Sequence, residues 1–142
     1  SCLLAPLVGR QAGLLLADTT RYAEKQLFVA QCGVDSARIA AIGGIEARGV
    51  DLWAERERVL DLLTEAGKNL LAVGRVQVLL LGCLSFLGLA HPLSERLGVP
   101  VVDPAVAPVA LAECLVRQGL KTSRKAYPAP PLRKRTWQSG QL

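Results

Sequence analysis

The chain has 142 residues, 51% of them hydrophobic and 20% charged, which excludes a disordered polypeptide and suffices for one domain with a core of useful size. Its net charge of +5 belongs to one end: seven of the 17 basic residues lie at or beyond Arg117 and no acid follows Glu113, so the remainder carries ten basic against twelve acidic residues. That distribution speaks for a solvated basic tail rather than a nucleic-acid-binding face, and no apolar run reaches the roughly 18 residues that a membrane span requires.

The four cysteines, Cys2, Cys32, Cys83 and Cys114, have no metal-ligand spacing, and His91 is the single histidine. No metal site and no cofactor are expected, and free thiols in a cytoplasmic chain are the simplest reading. The start does not read as a secretory leader. The chain contains no methionine and starts at Ser1, so a cut upstream of Ser1 is expected.

Taken in order, residues 1–11 read as a connection and residues 13–17 (GLLLA) as a first strand. Asp18, Thr19 and Thr20 end it with residues that cap helices. A helix is expected over 21–32, closed by Gly33, then a second strand over 38–42, shut by Gly43 and Gly44. Asp51 can cap a long helix over 52–71, in which Leu52, Val59, Leu62, Leu63, Ala66 and Leu70 follow the 3.6-residue period. Gly74 ends it. The run 76–81 (VQVLLL) reads as a strand buried on both faces, broken by Gly82. Residues 84–98 have helical spacing, 99–103 form a short fourth strand, and 105–118 form a strongly apolar helix stopped by Gly119. Residues 126–142, with Pro128, Pro130 and Pro131, are irregular, and the last of them are expected to be disordered.

This alternation of strands and helices predicts an α/β fold with a parallel sheet and helices on both faces. The chain lacks both the GxGxxG and the GxxxxGK[ST] phosphate cradles, and it has no GxSxG elbow. Cys83 is the residue singled out. It stands at the carboxyl end of a strand with a helix expected directly after it, where sheet crevices bind ligands and a helix dipole would favour thiolate. A buried, inert thiol fits the local pattern equally well.

From Gly82 onward the sequence, LLLGCLSFLGLAHPLSERLGVPVVDPAVAPVALAECLV and then RQGLKTSRKAYPAPP, resembles the cofactor-independent Asp/Glu/hydantoin racemase superfamily. Residues 1–8 and 13–21 (GLLLADTTR) are also similar to the middle of family members. The resemblance implies two similar α/β lobes with the active site between them, each lobe supplying one cysteine: one removes the α-proton of a hydantoin-type ring or an amino acid, and the other protonates the opposite face. Neither pyridoxal phosphate nor a metal is implied. Cys83 matches the second cysteine, with the first expected upstream of Ser1. Cys2 lies in a segment, SCLLAP, that looks like the one following the first lobe's crevice. Asp18, Thr19 and Thr20, together with Gly82, Leu84 and Ser85 around the cysteine, are candidate substrate contacts, although Asp18 or Thr19 can equally serve as a helix cap.

Residues 1–104 would be the second lobe, 105–125 a helix and return segment packed on the missing amino-terminal lobe, and 126–142 a Pro-rich basic tail. Cys32 and Cys114 fall in helical patterns and are expected to be packing residues. The expected partners are a small-molecule substrate, the missing lobe and a possible second copy in a homo-oligomer, with neither nucleic acid nor membrane. Leu84, Ser85 and Phe86 depart from the small residues and methionine that follow this cysteine in hydantoin racemases. Decarboxylase, cis–trans isomerase and non-catalytic small-anion-binding readings therefore stay open.

Overall fold

The computed structural model describes residues 2–47 and 49–131. Helix α1 (Ala5–Val8) precedes strand β1 (Ala12–Leu16), α2 (Tyr22–Gln31) leads to β2 (Ile39–Gly44), and α3 (Arg56–Ala72) leads to β3 (Val78–Leu81). Then α4 (Ala90–Leu97) leads to β4 (Val101–Val102), and α5 (Val106–Arg117) follows. All the pairings are parallel, in the order β2-β1-β3-β4.

The leucine runs are continuous because both faces of the sheet are covered. Successive side chains of a strand point to opposite faces. Leu15, Leu79 and Leu81 pack in one cluster with Val59 and Leu63 of α3 and Leu93 of α4. Ala12, Leu14, Leu16, Val78 and Leu80 pack on the other face with Ala5 of α1 and Val29 of α2. From β1 the chain moves outward through α2 to β2. It then passes over β1 by way of α3 to reach β3, and continues through α4 to β4. The winding direction reverses between β1 and β3, and a crevice opens outside the carboxyl ends of such a strand pair.

Several expected boundaries shift. Residues 1–11 contain α1 rather than a plain connection, with Pro6 in its first turn. The second strand does not stop before the glycines but runs through Gly43 and Gly44, because both lie against β1, paired with Leu15 and Leu16. The long helix starts at Arg56, not Leu52: the Asp51 carboxylate accepts from the N–H groups of Trp53 and Ala54 at 2.9 Å each, closing a separate turn. The third strand begins at Val78 and the fourth covers Val101–Val102 alone. The helix expected from residue 84 begins at Ala90; before it come a 3-10 turn, Leu84–Phe86, and then Gly88 at φ +81°. Among the described residues no helix is long and apolar enough to cross a membrane.

Helix α5 has no buried residue, and Val109 and Val116 are 59% and 74% exposed. No side chain of this apolar helix is therefore buried against the sheet. The basic residues Arg133, Lys134 and Arg135, and the expected disorder of the last residues, lie outside the described residues.

Candidate functional site

Leu15 pairs with Leu81, and one residue further the Gly82 N–H donates to the Leu15 carbonyl at 2.7 Å. The chain then leaves the sheet at Cys83 beside the exit of β1 at Ala17 and Asp18. A Cβ on Gly82 would stand 3.0 Å from the Leu15 oxygen, so only glycine lets the exit of β3 lie this close to β1. Cys83 has extended backbone, is half-buried, and packs at the margin of the cluster on the α3 and α4 face. The helix-dipole expectation for Cys83 has no element to rest on: α4 starts at Ala90, and a helix dipole acts within its first turn.

On the β1 side, one Asp18 carboxylate oxygen accepts from the Thr20 N–H at 2.8 Å and from the Thr20 hydroxyl at 2.7 Å. Asp18 therefore caps the 3-10 turn Thr19–Arg21, as the structural alternative had it. Thr19 is turned toward β2: its hydroxyl donates to the Glu46 carboxylate, and its methyl leaves no room for a side chain at Gly44, where a Cβ would be 2.8 Å away. Glu46 stands in left-handed backbone at φ +46°, the one non-glycine residue with positive φ among those described. Strain of this kind marks a geometry that its surroundings dictate.

Two residues that sequence reading missed hold the turn after Cys83. Arg56 Nη1 donates to the Ser85 carbonyl at 2.9 Å and to the Leu52 carbonyl at 3.4 Å, and Nη2 donates to the Leu87 carbonyl. The buried Asp103, at the end of β4, accepts from the Gly88 N–H at 2.9 Å. Its other oxygen accepts from the N–H groups of Ala105 and Val106 at 2.8 and 3.1 Å, at the start of α5. An Asp just ahead of an apolar helix is a capping signal that could have identified Asp103; nothing local points to Arg56.

The remaining cysteines divide differently from expectation. Cys32, which ends α2, and Cys114, within α5, are exposed and are not packing residues. Cys2 is half-buried against the α2-face cluster, and that burial pushes its thiol pKa up. A cavity of about 540 Å³ lies between α2 and the start of α5, with Cys2, Phe28, Cys32, Leu80, Gly82 and Pro108 among its lining. It touches Gly82 and Leu84 but not Cys83. Its walls are mostly apolar, and they include Leu16 at the end of β1 and Leu81 and Gly82 at the end of β3, so the cavity opens at the strand exits where Cys83 begins its turn. Among the described residues no group of three or more potential ligands could hold a metal ion.

A family profile, Asp/Glu/Hydantoin racemase, matches residues 3–112. The chain belongs to that family. It is 38% identical to a hydantoin racemase of Paenarthrobacter aurescens over 84 residues, 58% of this chain and 36% of the relative. It is 37% identical to a hydantoin racemase of Pseudomonas sp. (strain NS671) over 82 residues, 57% of this chain and 33% of the relative. The fold is similar to that of an allantoin racemase from Pseudomonas fluorescens, with TM-score 0.78 and 24% identity, covering 96% of this chain and 58% of the other. An allantoin racemase from Klebsiella pneumoniae gives TM-score 0.80 at 22% identity, covering 96% and 56%. The chain thus spans about a third of the length of the curated relatives it matches and little more than half of the solved structures.

Proposed function

We propose that this chain is one lobe of a cofactor-independent racemase acting at the α-carbon of a hydantoin-type ring, with Cys83 as one of two acid–base groups. The observation that carries the reading is the position of Cys83. In a chain of this family it leaves β3 at the winding reversal of the sheet, next to the residues that leave β1.

In this reaction a thiolate on one face takes the α-proton, so that the C–H bond breaks and an S–H bond forms. The electron pair moves onto the adjacent ring carbonyl oxygen. A thiol on the opposite face then delivers its proton to the carbon, and the two sulfurs have exchanged protonation states with no net oxidation. One group alone would return the proton to the face it came from, so the second comes from another lobe. The exposed apolar length of α5 supports a second lobe packed there, residues 105–125 being the segment in contact. The backbone N–H groups of Leu84 and Ser85, in the turn that Gly82 opens, are suited to the developing oxyanion, and Asp18 and Thr20 to the polar edge of the ring. Four free thiols suit a reducing, cytoplasmic setting.

The test is α-proton exchange of a 5-substituted hydantoin in deuterated water. The 142 residues alone should show no racemisation, whereas the protein with both lobes should exchange and racemise. Cys83→Ser should abolish racemisation, and with it exchange of the enantiomer whose α-proton Cys83 removes, because a serine hydroxyl is too weak an acid to trade roles with a thiol near neutral pH. Unchanged exchange in Cys83→Ser removes Cys83 from the mechanism.

A further inference from the structure

The turn that carries Cys83 is held weakly from within. Its own bonds are Phe86 N–H to the Cys83 carbonyl and Leu87 N–H to the Leu84 carbonyl, each 3.1 Å, followed by Leu89 N–H to the Phe86 carbonyl at 3.0 Å, and 3-10 bonds of this kind have poor geometry. Phe86 anchors the middle of the turn in the core. Beyond Phe86 the backbone passes through Gly88 at φ +81°, a conformation that gives the chain no stiffness of its own.

Arg56 supplies what the turn lacks. It is the first residue of α3, half-buried, and among the described residues it forms no salt bridge. Its guanidinium lies over the Trp53 ring at 5.2 Å, and its donors go to backbone carbonyls. Two of those carbonyls, Ser85 and Leu87, belong to the turn, 29 and 31 residues further along the chain. A planar fork with several donors can hold two carbonyls at once, which an ammonium group does poorly. Asp103 grips the next residue, Gly88, from the β4 side.

We propose that Arg56 is a positioning residue for Cys83, with Asp103 as the opposing hold on the same turn. The inference rests on the catalytic reading of Cys83 for its role in turnover, but the positioning itself does not need that reading. Arg56 touches no reacting atom; it acts by keeping the segment after Cys83 closed against α3.

The experiment measures the alkylation rate of each cysteine by iodoacetamide and mass spectrometry in the intact protein, in Arg56→Met, Arg56→Lys and Asp103→Asn variants. Arg56→Met keeps the apolar stem and removes the donors. Cys83 should react at least about tenfold faster, the opening expected when one charge-assisted hydrogen bond is lost, while Cys32 and Cys114 keep their rates. Arg56→Lys should lie between wild type and Arg56→Met. Asp103→Asn should move Cys83 in the same direction by at least about threefold. Where turnover is measurable, Arg56→Met should lower kcat and leave KM in place.

A Cys83 rate unchanged in both Arg56 variants overturns the proposal. So does a parallel rise at all four cysteines, which would make Arg56 a support of the whole fold. If Cys83 responds to Arg56 but Cys83→Ser leaves proton exchange intact, the positioning stands and the catalytic reading falls. If Cys83→Ser abolishes exchange but Arg56→Met changes neither rate nor kcat, the reverse holds.

Discussion

Gly82→Ala tests whether close approach of the strand exits builds the site. A Cβ at this position would lie 2.7 Å from Leu16 Cδ2, 3.0 Å from the Leu15 oxygen and 3.2 Å from Leu14 Cδ1. The two leucine ends can rotate away. The Leu15 oxygen cannot, because it accepts the Gly82 N–H at 2.7 Å, and withdrawing it loosens that bond. The relaxed structure must therefore shift the start of the Cys83 turn away from β1. Overpacking of this kind costs about 1–3 kcal/mol. For a chain of this size, that is a fall in Tm of roughly 3–10 °C. Calorimetry or circular dichroism measures it, and alkylation of Cys83 reports the displaced turn. A Tm within about 1 °C of wild type, with the Cys83 rate unchanged, would refute the close-approach reasoning.

Cys2 should be the slowest of the four thiols to alkylate between pH 7 and 9, since burial raises its pKa. The stability that this neutral thiol contributes is complete below the unfolded-state value of about 8.5 and is lost as pH rises through the higher folded value. Chemical denaturation followed from pH 7 to pH 10.5 should therefore show a decline that is smaller in Cys2→Ala; an equal decline in both would exclude Cys2 as its source. On α5, Val109→Glu and Val116→Glu should reduce binding of a hydrophobic dye to the 142-residue chain and leave its stability within the roughly 0.5 kcal/mol typical of surface changes, because neither side chain is buried. With the second lobe present, the same substitutions should each cost about 1.5–3 kcal/mol of lobe association, read by sedimentation or calorimetry. A large loss of stability in the isolated chain would show instead that α5 already packs on residues 1–104.

What was legible in the sequence and what was not divide along the range of the interactions involved. The all-parallel sheet was readable because runs such as VLLL, short and closed by Gly82, fit strands covered on both faces better than helices. The helix ends at Gly33, Gly74 and Gly119 were readable because each glycine takes a positive φ that other residues avoid. The helix expected from residue 84 failed for an instructive reason. Leu87, Leu89, Ala90, Leu93 and Leu97 have helical spacing, but Phe86 goes into the core and Gly88 turns the chain, so the first of them serve a tight turn before α4 begins. Periodicity registers which side chains are apolar and not where the backbone hydrogen bonds go. The bonds that shape this turn come from Arg56 and Asp103, 29 and 15 residues away from their partners Ser85 and Gly88, and no local pattern encodes them. Cys83 itself was legible because its glycine neighbour and its strand are adjacent in sequence. The hold upon it was not, because it joins the start of α3, the end of β4 and the first N–H groups of α5 through side chains that meet only when the sheet is assembled.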